Sequence, residues 1–348
     1  MARTIGFATT LRITVRRLAA ALLLAPALLL TGCGSSTKQQ SSADAAATPC
    51  PSGSAAAAPM PTPAVVNDDA ALPAVSGTFG QSIKITPAKG TPDGKFVVKT
   101  LSEGTGATVT KDDVVAFSFA GQNWAGKSFI NSYEQGGGAT VDNLHTTPMV
   151  PMFTQAMVGH KVGSRVEVVA PPGAGFGNAG YPKLGISCHD TLALVFDITE
   201  AVPSDAMAQG ATLPVSADLP KVDVKAGGPA TFTITDAQRD PKNLGVGVLI
   251  KGKGPVVKPG QNLIAQYTGA TLKDGKVFDF SWKYGGASSF VIGAGQVIPG
   301  WDKGLVGQTV GSRVILSIPS AEAYGAQGNQ GIPPNANLVF VVDILGAA

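Results

Sequence analysis

The sequence predicts an α+β chain made of two copies of one domain, each an antiparallel sheet folded over a single short helix. Three observations carry that expectation. The first is an internal repeat. Val162-Gly-Ser-Arg-Val166 recurs as Val310-Gly-Ser-Arg-Val314, and Leu194-Val-Phe196 recurs as Leu338-Val-Phe340. Gly126-Lys127-x-Phe129 recurs as Gly275-Lys276-x-Phe278, and Gly159 falls in step with Gly307. Offsets of 148, 144 and 149 make the period a whole domain and exclude a short-period solenoid. The second is composition: 44 Gly and 25 Pro, with only 14% charged and 6% aromatic residues, favour turns and short strands over long solvated helices. The third is local pattern. Asn262–Thr268, Arg313–Ile318 and Leu338–Ile344 have strand composition, and the last is nearly all apolar, as a strand covered on both faces would be. Asp274-Gly275 is a hairpin signal, and only Pro299–Val306, opened by Pro and closed by Gly307, reads as a helix in that copy.

From the N-terminus, Arg3, Arg12, Arg16 and Arg17 precede an apolar run, Leu18–Leu30. The run is too short, and too broken by Pro26, for a membrane span of ~20 residues. It ends in Leu30-Thr31-Gly32-Cys33, which resembles the bacterial lipobox. Residues 1–32 are therefore expected to be a lipoprotein signal peptide, and Cys33 the acylated mature N-terminus. An ordinary signal peptide followed by an incidental cysteine is the alternative. Each buried CH₂ of an acyl chain contributes ~0.8 kcal/mol, so two or three chains anchor firmly. The protein is expected to be exported and lipid-anchored to the outer face of the bacterial cytoplasmic membrane or to another envelope membrane. The residues flanking Arg16-Arg17 do not support a twin-arginine signal.

Residues 33–76, rich in Ser, Ala, Thr, Pro and Gln, cannot bury enough apolar surface to offset ordering and are expected to be a disordered tether. The first copy is expected over 79–202, a Pro-marked linker over 203–226, and the second copy over 227–346. Beyond Cys33 two cysteines remain, Cys50 and Cys188, which are either bridged or two free thiols. Past residue 32 the chain carries 22 basic and 23 acidic residues, which gives no electrostatic basis for nucleic-acid binding.

The blocks Tyr267-Thr-Gly, Asp274-Gly-Lys-Val-Phe-Asp279, Gln296-Val-Ile-Pro-Gly-Trp301, Ala323-Tyr-Gly325, Ile332-Pro-Pro334 and Leu338-Val-Phe340 resemble, in order and spacing, the signature blocks of the FKBP family of peptidyl-prolyl cis-trans isomerases. The resemblance covers about residues 245–346 and is far more specific than one short motif. It implies two FKBP-like domains, each a half-barrel antiparallel sheet wrapped around a short helix. In the second, Trp301 would be the pocket floor, with Tyr267, Phe278, Val297, Ile298, Ile332 and Phe340 as walls. Asp279 and the Tyr324 hydroxyl would be polar groups at the rim, and the Ile298 N–H a donor to the bound chain. Proline-containing polypeptides are the implied partners and macrolides implied ligands, with no cofactor and no metal. A non-catalytic peptide-binding chaperone or envelope scaffold is the competing reading.

The second copy departs from the family at Ser288 or Ser289, where an aromatic is usual, and at Asn329, where a histidine is common. The first copy departs further. Aligned through the repeat, Tyr267 becomes Phe119, Asp279 becomes Ile130, Trp301 becomes Phe153 and Tyr324 becomes Phe176. Phe129 is kept, and Phe196 stands for Phe340. Every polar pocket group is then expected to be gone, which suits a structural or peptide-holding domain, with a weak isomerase as the alternative. Gly175-Phe-Gly177-Asn-Ala-Gly180 matches a dinucleotide pattern but is flanked by prolines with no following helix, and His145, His160 and His189 share no ligand spacing.

Overall fold

The ladder of the first copy shows why the repeat exists. In the computed structural model, which describes residues 49–53, 58–66, 72–134, 139–146 and 149–348, two sets of elements run in the same order. The first set is β1 (Val65–Val66), β2 (Ala74–Ser76), β3 (Lys84–Thr86), β4 (Phe96–Ser102), β5 (Asp113–Asn123), β6 (Ser128–Asn131), β7 (Thr140–Asn143), α1 (Pro151–Met157), β8 (Arg165–Ala170) and β9 (Leu192–Pro203). The second is β10 (Ala211–Thr212), β11 (Lys221–Asp223), β12 (Thr231–Thr233), β13 (Gly245–Lys251), β14 (Asn262–Thr271), β15 (Val277–Phe280), β16 (Ser288–Val291), α2 (Pro299–Leu305), β17 (Arg313–Ile318) and β18 (Leu338–Ala347). Each main sheet has seven strands, ordered β1-β4-β8-β9-β5-β6 with β7 also on β5, and β10-β13-β17-β18-β14-β15 with β16 also on β14. Register shifts fall at equivalent places, between Thr100 and Ser102 and between Val248 and Ile250, and again between Ala116 and Phe117 and between Ile264 and Ala265. Bulges bend and twist a sheet, so both curl around their helix in the same way.

Each helix is one short amphipathic turn-and-a-half laid on the concave face. Proline stands at the first helical position of both, where its missing N–H has no intrahelical partner anyway. The helix-to-sheet distance is set by paired volumes. A Cβ on Gly300 would lie 2.6 Å from Ile318 Cγ2, and one on Gly304 would lie 2.5 Å from Leu316 Cδ2. The first copy makes the reverse exchange: Met152 and Ala156 on α1, both buried, stand over the smaller Ala170 and Val168. Interiors pack at crystal-like density, so a residue enlarged on the helix requires one reduced on the strand.

The outer face of each sheet is covered too, which explains the apolar β18. The β11–β12 hairpin lays Val222 and Phe232 against Ala270, Ile315 and Val339, together with Leu219. The β2–β3 hairpin does the same in the first copy with Val75, Ile83 and Ile85 over Ala120 and Val195. The arginine of each repeated Val-Gly-Ser-Arg-Val block forms an ion pair with an aspartate of the neighbouring strand, and each pair holds part of the chain leading into its domain. Arg165 Nε donates to Asp197 Oδ1 at 2.6 Å while its other nitrogens donate to Gly77 O and Thr78 O. Arg313 pairs with Asp343 at 2.5 and 2.7 Å, and Asp343 also accepts from Ala208 N–H. A buried ion pair is sustained when its remaining donors and acceptors are satisfied, as they are here by the lead-in chain.

These covers correct the sequence-based boundaries. The stretch 203–226, expected to be a linker, contributes β10 and β11 and the buried Leu219 to the second unit. The tether expected over 33–76 ends earlier. Residues 1–48, with the signal peptide and Cys33, lie outside the described residues, but Cys50 is disulfide-bonded to Cys188. Beyond it, Ala58 O accepts from Asn178 Nδ2 at 3.2 Å, Val65–Val66 run parallel to Phe96–Val97, and Ala74–Ser76 form β2. Side-chain composition missed this ordering because a covalent bridge and backbone pairing, not apolar burial, hold the segment. No helix among the described residues is long and apolar enough to cross a membrane.

One further register differs from expectation. Gly121 faces Leu194 and Val166 faces Phe196, whereas Gly269 faces Phe340 and Val314 faces Val342. Leu194 is thus the equivalent of Phe340, and Phe196 sits where Val342 does. Matching the two Leu-Val-Phe triplets slips the strand by one side-chain period, which leaves every residue on its correct face and so goes unnoticed in the pattern.

The two domains meet across a small apolar seam of Val114, Val202, Ile264 and Ala287, flanked by Val141, Ala206 and Leu345. Asn262 Nδ2 donates to Ala139 O at 2.8 Å, Gln266 Nε2 to Ser204 O at 2.7 Å, and Asn143 Nδ2 to Ala287 O at 3.3 Å. Glu200 is caught in this seam, its carboxylate so close to the chain at Gly346 that a Cβ there would lie 2.5 Å from Oε1. Burial pushes its carboxyl up to about 7, only partly opposed by the Ala347 N–H. A carboxyl raised on folding adds stability below its unfolded value and loses it as pH climbs to the folded one. Glu200→Gln should therefore gain stability relative to the parent as pH rises from about 4.5 to 7, and hold a constant difference above that. Urea midpoints of both proteins across this range measure it; a difference independent of pH would show that Glu200 ionises freely.

Candidate functional site

The second domain gathers its pocket residues from five elements around Trp301, buried on α2. The indole is met edge-on by three rings: Phe290 at 5.1 Å, Phe340 at 5.3 Å and Tyr267 at 5.6 Å between centroids. Phe278 packs edge-to-face on Phe340 at 5.6 Å. Tilted contacts of this kind suit the ring quadrupoles and lock each ring's plane. Gly269 is required where the last two rings cross β14, because a Cβ would lie 2.5 Å from Phe340 and 2.7 Å from Phe278. Gly121 meets Phe129 in the same way at 2.6 Å.

Val297 and Ile298 flank the helix start and pack on the same core, with Tyr324, while Ile332 is buried within it. Ile298 has extended backbone, its carbonyl accepts from Trp301 N–H at 2.9 Å, and its own N–H has no acceptor among the described residues. The capping loop is tied down at both ends. Ser320 N–H donates to Asn337 Oδ1 at 2.9 Å, and Asn335 N–H reaches Gly325 O at 2.8 Å. Asn329 and Ile332 exchange backbone bonds at 3.0 and 2.8 Å, so the Asn329 position serves the loop's own turn.

Asp279 is held by two phenols. Tyr267 Oη donates to Oδ2 at 2.7 Å and Tyr284 Oη to Oδ1 at 3.0 Å, with Lys283 Nζ 4.0 Å away. Burial first, and then the Asp279 carboxylate, push the Tyr267 hydroxyl far above its ordinary value, so it stays a donor at any physiological pH. The structure thus brings all nine sequence-predicted pocket residues together. Two it adds are Phe290 and Tyr284. Phe290 lies one pleat beyond Ser288, within reach of an alternation argument on β16; Tyr284 sits on a 3-10 turn, where no periodicity points to it.

The first domain has the same frame with different chemistry. Phe119, Phe153 and Phe196 form a cluster with centroids 5.3 to 5.5 Å apart, and Phe117 joins it at 5.9 Å from Phe196. Ile130 and Phe176 replace the rim acid and the rim phenol, as expected. The expectation that every polar group is gone is corrected by β7. Leu263 faces Phe290 across the β14–β16 ladder, and Val115 faces Asp142 across β5–β7, so Asp142 holds the station of Phe290. Its carboxyl is pushed up to about 6 by burial alone.

Two stretches, residues 106–199 and 254–345, match the family model described as FKBP-type peptidyl-prolyl cis-trans isomerase. The chain belongs to that family, with two domains of it in tandem, and it is a peptidyl-prolyl cis-trans isomerase of the FKBP type. It is similar to the FK506-binding protein of Streptomyces anulatus, 38% identical over 38% of this chain and 98% of that one. It is also similar to FK506-binding protein 1 of Debaryomyces hansenii, 49% identical over 30% of this chain and 95% of that one. Among solved structures, FkpA from Escherichia coli is 41% identical over 30% of this chain and 47% of that one, with a TM-score of 0.28.

Tyr267→Phe removes the donor to Asp279 and should cost roughly 1–2 kcal/mol, the lower part of the range for a bond to a charged acceptor since Asp279 remains part-exposed. Phe119→Tyr, whose hydroxyl would face Ile130, should gain nothing. Chemical unfolding of the two variants measures the contrast; equal effects would mean that the phenol–carboxylate bond does not hold the rim.

Proposed function

We propose that the second domain carries the isomerisation of X–Pro bonds in exported polypeptides, that the first domain is non-catalytic, and that the chain is held at the membrane through an acylated Cys33. The observation that carries the catalytic assignment is the combination found only in the second domain: an aromatic floor at Trp301 beneath an Asp279 oriented by two tyrosines.

Rotation about a peptide bond has a barrier of ~18–20 kcal/mol because the twisted amide loses resonance, and proline is the residue that tolerates both isomers. Accelerating it needs no nucleophile. What is needed is a dry cavity that accepts the proline ring and favours the less polar, twisted amide over the planar one. The indole and the rings of Phe278, Phe290 and Phe340 supply the apolar part. The free Ile298 N–H and the Tyr324 hydroxyl are placed to fix the bound chain's direction. The same cavity is proposed as the site for a macrolide, in keeping with the names of the relatives.

In the full chain, Phe278→Ala should slow cis-to-trans isomerisation of a short X–Pro peptide by at least tenfold, since it opens the pocket wall. Phe129→Ala, the same change in the first domain, should leave the rate within about twofold. Protease-coupled kinetics measure both, and equal losses would defeat the division of labour. The anchor is tested separately: Cys33→Ala should shift the protein from the detergent phase to the aqueous phase, and unchanged partitioning would sink the lipidation.

A further inference from the structure

The first domain repeats the frame of the second but carries a carboxylate, Asp142, at the station where the second has Phe290. Asp142 is fixed to the inner face by the ladder, because directly paired residues of neighbouring strands project to the same side. Its partner Val115 is a core residue, as are Phe117 and Phe119 two and four positions along β5. Val141 and Asn143, the alternate residues of β7, point the other way into the domain seam. At the equivalent station Phe290 reaches both Trp301 and Tyr267, whose counterparts in the first domain are Phe153 and Phe119. Met149 and Val150, equivalent to Val297 and Ile298, pack on the same cluster.

The carboxyl is therefore half-buried on the inner face of the sheet, the face that carries the Phe119–Phe153 cluster. Desolvation is the sole influence moving its titration, so no cation among the described residues compensates it. An ionised carboxylate in such a place is costly unless paired. The surrounding rings favour the same remedy, since ring faces attract cations most strongly where water is excluded. The substitution also acts against proline. Where the second domain offers an aromatic ring to an apolar pyrrolidine, the first offers a charge, which that ring cannot satisfy.

We propose that the cleft of the first domain binds the lysine or arginine side chain of an extended polypeptide, with Asp142 as counter-charge and Phe119 and Phe153 as walls. The inference rests on the proposed function for its polypeptide ligand and for placing isomerisation in the second domain. A basic side chain bound in one domain would hold a client near the X–Pro site of the other.

The test uses the full chain and two fluorescent peptides, Ac-Ala-Ala-Lys-Ala-Phe and its norleucine analogue, with affinities read by anisotropy at pH 8 and low salt. The lysine peptide should bind about tenfold tighter, and Asp142→Asn should abolish that preference while leaving the X–Pro isomerisation rate unchanged. Asp142→Glu should retain part of it. Equal affinities for the two peptides on the unmodified protein would overturn the proposal without any variant. A lysine preference surviving in Asp142→Asn would overturn it as well. Loss of X–Pro isomerase activity from the unmodified protein would count only against the proposed function.

Discussion

The close approach of α2 to β17 is the constraint on which the second domain's site depends. Gly300 and Gly304 let the helix sink until its backbone touches Ile318 and Leu316, and only at that depth does Trp301 reach the rings of Tyr267, Phe290 and Phe340. A side chain at Gly300 would lift the helix and with it the floor of the pocket. The first domain meets the same geometric demand from the other side. Met152 and Ala156 thicken the helix, Ala170 and Val168 thin the strand, and a smaller floor residue, Phe153, is compensated by Phe117 and Phe196 where the second domain has Ala265 and Val342. Total volume is kept while the pieces change hands, which is the kind of repacking cores accept.

That exchange explains what the sequence could and could not tell. Trp301, Tyr267, Phe278 and Phe340 were legible because they are large, spaced by turn glycines, and arranged in one order. Gly269 was legible only as part of the Tyr267-Thr-Gly block; that it lets two rings cross a strand needed the structure. Phe290 was missed because attention fell on the serines before it, and Asp142 because a charged residue in a short strand reads as an exposed face. Only the ladder, pairing Val115 with Asp142, reveals that it points inward. The slipped match of Leu194 and Phe196 has the same origin: a shift of two residues preserves alternation, so pattern cannot detect it and hydrogen-bond register must.

The covers and the seam were the least legible parts, for a physical reason. The β2–β3 and β11–β12 hairpins hold few apolar residues each and would not be stable alone. Arg165 donates directly to the Gly77 and Thr78 carbonyls in the β2–β3 turn, whereas in the second domain it is Asp343, the partner of Arg313, that accepts from Ala208 N–H ahead of β10. The repeated Val-Gly-Ser-Arg-Val block thus marks an ion pair that ties down the chain leading into each domain, remote from the pocket. The Cys50–Cys188 bridge does a similar task for the strand that precedes the first domain, fixing residues whose composition alone would leave them unstructured.

Taken together, the two pockets differ less in shape than in where polarity resides. In the second, the interior is aromatic and the polar groups, Asp279 with its two phenols and Tyr324, stand at the rim. In the first, the rim positions are Ile130 and Phe176 and the charge has moved to the wall, at Asp142. Random decay of a redundant copy would remove polar groups or fill the cleft. Neither accounts for a new, unpaired carboxylate inside it, which costs stability and would be easily replaced by an apolar residue. A half-buried carboxyl whose titration is raised by burial marks a position to test for ligand binding. On the proposed reading, the two domains would share one polypeptide client, one binding a proline ring and the other a cation.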